Sequence, residues 1–187
     1  MAVVTGMRRG ELLALRWSNI DFDRRRLQVL HSVDFIAGYG YVEGKPKTAA
    51  GKRMISLPEF LIDMLIKHHT QQLERCEAAK NWLDHDLVFP NLSGGYLHPN
   101  HMGEKFRKLL REAGLPAIHF HDLRHSAATI LLCMGVNVKV IQELLGHSDI
   151  SITLGVYGHL LPSMQQVVVD TWNGVFGDNG EEGANQE

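Results

Sequence analysis

The chain has 187 residues, a 44% hydrophobic share and a formal net charge of −2, which suits one globular domain with a substantial core. No apolar run approaches the roughly 18–20 residues that a membrane span needs, and the opening Met1–Gly6 lacks the basic-then-apolar plan of a secretory signal. Cys76 and Cys133 lie far apart, each within a helical pattern; this speaks against a disulfide framework or a cysteine metal site and suits a cytoplasmic protein.

Leu12, Leu13 and Leu15 predict a short helix within Arg8–Trp17. The chain reaches it almost at once, which points to a piece of a longer protein. Leu27, Val29, Val33 and Phe35 share one parity, the period of a half-buried strand. Gly38-Tyr39-Gly40 marks a turn, and Arg53–Leu57 predicts a second strand. The glycine- and lysine-rich stretch Glu43–Lys52 between them has the composition of a hairpin tip. A small antiparallel sheet with a basic loop is the expected result.

From Pro58 the period becomes helical, with Phe60, Leu61, Met64 and Leu65 on one face and an end near Ala79. Leu87–Phe89 is a short extended piece and Ser93–Gly95 a turn. Pro99 opens a helix striped by Phe106, Leu109, Leu110 and Ala113, stopped by Gly114 and Pro116. Leu123, Ala127, Ile130, Leu131 and Met134 predict the next helix, closed by Gly135. Val138, Ile141, Leu144 and Leu145 predict another, closed by Gly146. A short helix over Ser151–Tyr157 and a last one over Ser163–Phe176 follow. The fold class expected is α+β, mainly α-helical, with a small antiparallel β-sheet near the N-terminus.

The charge is uneven. Asp178–Glu187 holds four acids and no base, so removing those four from 21 leaves 17 acids against 19 bases in the rest of the chain. This tail reads as disordered. The bases cluster at Arg8, Arg9 and Arg16, at Arg24–Arg26, at Lys45, Lys47, Lys52 and Arg53, and at Lys105, Arg107, Lys108 and Arg111. Local fields, rather than the total, steer a polyanion. Each cluster alone is equally compatible with a solvated face.

Phe120–His159 concentrates the chemistry. His121 and Arg124, three apart at a helix start, face the same way and can grip two oxygens of a phosphate. Singly they also suit a capping histidine and a surface arginine. His121 and His125 have the spacing of two helical zinc ligands, but Asp122 stands where that motif needs Glu, and no third ligand is evident nearby. His147 follows a glycine stop, a favourable place for a histidine beside a helix dipole. Tyr157 shares its segment with Ile152 and Val156 and suits a half-buried tyrosine.

Taken together, these residues and two upstream boxes resemble the tyrosine recombinases, the phage-integrase family. Thr5-Gly-Met-Arg8-Arg-Gly-Glu11-Leu-Leu-Ala-Leu-Arg-Trp17 is similar to that family's first box. Pro46-Lys47-Thr48, with Arg53, Ile55, Leu57 and Pro58, resembles its lysine hairpin. His121-Asp-Leu-Arg124-His, Leu144-Leu-Gly-His147-Ser and Val156-Tyr157-Gly-His159 are similar to the remaining boxes. The likeness runs from residue 5 to about 176. Gly155 departs from it, since many relatives carry a polar or acidic residue there.

The resemblance implies a tyrosine-recombinase catalytic domain over residues 1–177, without the family's N-terminal core-binding domain or the helix that normally precedes the first box, and with 178–187 as the tail. It implies that Tyr157 attacks a phosphodiester in duplex DNA, forming a 3′-phosphotyrosyl bond and releasing a 5′-hydroxyl. Arg8 and Arg124 would stabilise the phenolate and the transition state. Lys47 would protonate the leaving oxygen. His121 would assist proton transfer, and His147 would donate to a non-bridging oxygen. Arg9, Lys45, Lys52, Arg53, Lys105 and Arg107 are the expected DNA contacts. The implied chemistry uses no metal, ATP or other cofactor.

The implied partners are double-stranded DNA attachment sites and, on DNA, three further copies in a homo-tetramer assembled from free monomers. The apolar run Val167–Val169 with Trp172 and Phe176 suits either packing on its own core or docking on a neighbouring protomer. The implied setting is DNA in a prokaryotic cytoplasm, and the implied role is integration or excision of a phage or mobile element. Two other functions share these motifs: a type IB topoisomerase, and a DNA-binding module that no longer cuts. The short hairpin and the Gly146-His147 box favour the recombinase over the topoisomerase.

Overall fold

A computed structural model describes residues 1–46, 49–149, 151, 155 and 168–174. The described fold is mixed α and β and mainly helical. Its helices are α1 (Ala2–Thr5), α2 (Arg9–Leu13), α3 (Glu59–Ala78), α4 (Pro99–Glu112), α5 (Asp122–Cys133) and α6 (Val138–Leu145). Its strands are β1 (Ile20–Asp21), β2 (Arg26–Val29), β3 (Ser32–Ile36), β4 (Gly40–Gly44) and β5 (Arg53–Ser56). Residues 168–174 are also helical. Among the described residues no helix is long and apolar enough to cross a membrane.

The strand region differs from the single sheet expected. β1, β2 and β5 form one antiparallel sheet, and β3 and β4 form a separate hairpin. The run of alternating residues is broken at Leu30-His31, which belong to no strand. Leu27 and Val29 therefore enter one core, with Ile55 and Leu57. Val33 enters another, against Leu13 and Ala14. Phe35 keeps the parity but is 41% exposed, because the hairpin runs outward beyond the core. The Gly38 and Gly40 turn lies where composition predicts it, with φ of 85° and 83°, values that favour glycine. β5 pairs with β2 and not with its predecessor β4, so these two strands do not form the hairpin expected around the lysine-rich stretch.

α1 is too short to stand alone. It is closed by Gly6 at φ 58°, which sits so tightly on α6 that an added Cβ would lie 2.5 Å from Leu145 Cδ2. α3 begins one residue later than expected, with Pro58 at its cap. The α5 stripe is rotated from the predicted one. Arg124, Ala127, Ala128 and Leu132 face inward, while Ile130 and Met134 are exposed. That rotation follows from burying Arg124, whose charged fork donates to the inner carbonyls of Gly6 and Leu145.

Candidate functional site

Arg8 occupies the N-cap of α2, with extended backbone (φ −68°, ψ 155°). Glu11, three residues on, caps that helix end by accepting the Arg8 backbone N–H at 2.9 Å. Its other oxygen accepts Arg8 Nη1 at 2.9 Å. Glu11 is 2% exposed, and burial alone would raise its carboxyl pKa. Hydrogen bonds and charge from Arg53, with hydrogen bonds from Arg8, outweigh burial and hold the pKa below the ordinary carboxylate value.

Arg124 lies in the first turn of α5 and is 4% exposed. Its Nη1 donates to Gly6 O and its Nη2 to Leu145 O, both at 2.6 Å. Each carbonyl lies two residues before a group of the site: Gly6 before Arg8, and Leu145 before His147. One guanidinium fork thus fixes both approaches.

α6 ends in a double hydrogen-bonded turn. The Gly146 N–H donates to Glu143 O and the His147 N–H to Gln142 O, each at 3.1 Å, with Gly146 in the left-handed region at φ 66°. Gln142 Nε2 donates to His147 O at 3.0 Å. The turn therefore places the imidazole after a rigid stop. Burial lowers the His147 pKa first, followed by the charges of Arg124, Arg8 and Arg53, to about 4. His121 stands at the start of α5, and its ring meets that of His125 edge-on, with centroids 5.2 Å apart. Its pKa is lowered by burial, then by His125, Arg124 and Arg8, with Asp122 opposing. Both rings are thus biased toward the neutral form in the resting site.

Arg8, His121 and His147 line one cleft of about 930 Å³. Arg9 on α2 and Arg107 on α4 line it as well, with Asp34 and Glu104 adding negative charge. Arg124 sits behind this wall. Lys45, Lys52 and Lys105 are exposed. Arg53, expected among the DNA contacts, is a correction: its side chain is 6% exposed and its donors are engaged inside the protein. Lys47 and Tyr157 lie outside the described residues, as do the helix expected at Ser151–Tyr157, apart from residues 151 and 155, and the tail. Among the described residues no group of three or more His, Cys, Asp or Glu could hold a metal ion, so His121 and His125 acquire no third ligand there. Glu11 is the residue that sequence reasoning left without a role. Its signal was a carboxylate set between Arg8 and an apolar Leu12-Leu13 pair.

Residues 1–164 match the model of the phage integrase family. A XerC-like tyrosine recombinase of Caldanaerobacter subterraneus subsp. tengcongensis is 35% identical over 94% of this chain and 48% of its own length. The ICEBs1 integrase of Bacillus subtilis is 30% identical over 91% and 46%. The Tn1549 transposon integrase, solved in complex with transposon right end DNA, superposes with a TM-score of 0.73 at 26% identity, over 89% of this chain and 56% of that one. The XerA recombinase shares the fold, with a TM-score of 0.66. The chain spans about half the length of the curated relatives it matches.

Proposed function

Because the chain belongs to the phage integrase family, we propose that it is the catalytic part of a site-specific DNA recombinase that cuts and rejoins strands through Tyr157. The observation that carries this reading is the convergence of Arg8, His121 and His147 on one cleft, backed by the buried Arg124. Motifs from three separate regions of sequence meet there.

A phosphodiester fits such a wall. Arg8, 40% exposed and steadied by Glu11, presents its guanidinium to the phosphate. Arg124 adds positive charge from behind. The Tyr157 hydroxyl attacks phosphorus, the bond to the 5′ oxygen breaks, and a 3′-phosphotyrosyl linkage forms. Lys47 delivers a proton to the departing 5′ oxygen. His121 takes up the phenolic proton, and His147 donates a hydrogen bond to a non-bridging oxygen. The linkage retains the energy of the broken bond, so a 5′-hydroxyl from another strand can reverse the step, and no nucleotide is consumed. The roles of Lys47 and Tyr157 rest on their motifs.

Arg9 and Arg107 at the cleft, with the exposed Lys45, Lys52 and Lys105, supply phosphate contacts that hold duplex DNA without reading its sequence. On DNA the protein acts as a tetramer. Val168, Val169 and Trp172 are 55%, 48% and 58% exposed, which supports docking of that helix on a neighbouring copy.

The test is a pool of nicked duplexes with a randomised centre, incubated with the protein and resolved under denaturing conditions. A protein–DNA adduct is expected for the wild type and none for Tyr157→Phe. No adduct from the wild type, or one that survives in Tyr157→Phe, would sink the reading.

A further inference from the structure

The Arg53 guanidinium joins three stretches of chain that are distant in sequence. Its Nη1 and Nη2 donate to the two oxygens of Glu11 at 3.2 and 2.9 Å. Nη1 also donates to Gly51 O at 3.1 Å, and Nε donates to Leu144 O at 2.6 Å. Each stretch leads to a group in the proposed reaction. Glu11 also holds Arg8 Nη1. Leu144 stands three residues before His147, and Gly51 four residues after Lys47.

We propose that Arg53 is a positioning residue for strand cleavage, locking the Glu11–Arg8 clamp to the turn that carries His147. The inference rests on the strand-cleaving reading. Arg53 is not a catalytic residue, because it is shielded and does not line the cleft.

Three observations support this. First, the turn sits directly on the arginine: a Cβ at Gly146 would lie 2.8 Å from Ala50 O and 2.9 Å from Arg53 Nη1. Glycine is needed there for contact as well as for φ. Second, Arg53 is itself fixed, at the start of β5 opposite Val29 in a regular antiparallel ladder. Third, the two orphan carbonyls at the end of α6, Leu144 and Leu145, go to Arg53 and Arg124 respectively. Two arginines from opposite sides therefore set one helix end. Lysine cannot replace this device. Its ammonium keeps the charge but cannot reach two carboxylate oxygens and two carbonyls in one plane.

The test uses Arg53→Lys in two arms. In DNA-free protein, the imidazole resonances of His147 are followed by NMR through a pH titration, with a thermal melt to check folding. The expected result is a folded variant whose His147 resonances and titration midpoint have moved. Identical resonances in variant and wild type overturn the inference whether or not the chain cuts DNA. If Arg53→Lys fails to fold, Glu11→Gln is measured the same way, and an unmoved His147 there also counts against it.

The second arm follows adduct formation in single turnover on the nicked pool. Arg53→Lys is expected to be slower by on the order of ten- to a hundredfold, with unchanged affinity for the duplex. Equal rates overturn the inference. If the wild type itself forms no adduct, the strand-cleaving reading fails, and the NMR comparison still decides what Arg53 positions.

Discussion

Glu11 and Arg53 meet in a two-pronged ion pair with both side chains nearly closed to solvent, 2% and 6% exposed, at 2.9 Å for Nη2 and 3.2 Å for Nη1. Charges so shielded attract strongly, but each has also lost its water. The pair is therefore better described as a fixed joint than as a large net source of stability. Arg8 extends it toward the cleft, so the same carboxylate serves the core and the site.

Breaking that joint from one side should be severe. Glu11→Ala leaves Arg53 buried without its counter-charge and removes the cap of α2. We predict a loss of about 3–5 kcal/mol, read as a lower urea midpoint at unchanged slope. Glu11→Gln should lose less, because its amide oxygen still accepts one N–H. A loss below about 1 kcal/mol for Glu11→Ala, the range of an exposed pair, would show that the joint opens to water.

Two glycines should respond with opposite sign. Gly146→Ala forces a left-handed residue, at about 1–2 kcal/mol for the backbone alone, and drives its Cβ against Ala50 O and Arg53. Gly103 lies inside α4 with open space where its Cβ would stand. Gly103→Ala should stabilise by about 0.4–1 kcal/mol by restricting the unfolded chain. Thermal melts of the two variants beside the wild type check both signs. A neutral Gly146→Ala would mean that the turn can move away from Arg53.

These contacts mark how far the sequence could be read. Helix starts and stops were legible, because Pro99, Gly114, Gly135 and Gly146 act locally, through their own backbone preferences. The meeting of the boxes was legible only through the family likeness, since no periodicity places residue 8 beside residue 147. Arg53 was misread because it stands in a basic cluster. Strand alternation carried the better signal: residues 53, 55 and 57 share a parity, and Ile55 and Leu57 are buried. The rotation of α5 was hidden for the same reason, because a stripe picked by hydrophobicity passes over a buried arginine. The split of the strands at Leu30-His31 depends on pairing partners that lie outside the local window.

Acid should destabilise the fold in two steps. The folded pKa of His147, about 4, lies below its ordinary 6.5. Above 6.5 both folded and unfolded forms are neutral, and its stability contribution is complete. As pH falls from 6.5 toward 4, the unfolded chain takes up a proton that the folded chain refuses, and stability drops. About 1–3 kcal/mol is expected across that window for this partly buried ring. Glu11, held below its ordinary 4.5, contributes stability that is present above that value and lost as pH falls through its lower folded pKa. Both effects run in the same direction. The chain has 11 histidines, so urea midpoints of the wild type must be compared with His147→Gln. The variant should show a flatter slope between pH 6.5 and 4, and an unchanged slope would assign the loss to other groups.

An anion in the cleft should reverse the bias on His147. The ring is neutral at pH 7 because burial and the charges of Arg124, Arg8 and Arg53 all disfavour a further cation. A bound tetrahedral anion would offset those cations and favour the imidazolium. We predict that sulfate raises the His147 midpoint by on the order of one unit, beyond any change in chloride of matched ionic strength. Arg8→Ala should weaken that response, since Arg8 lines the cleft beside His147. NMR titration in the two salts provides the measurement. If sulfate and chloride act alike, the cleft lacks a phosphate-sized anion site at His147. If they differ as predicted, a tetrahedral anion brings a proton with it, and His147 changes from a neutral donor in the empty cleft toward a charged one as the anion binds.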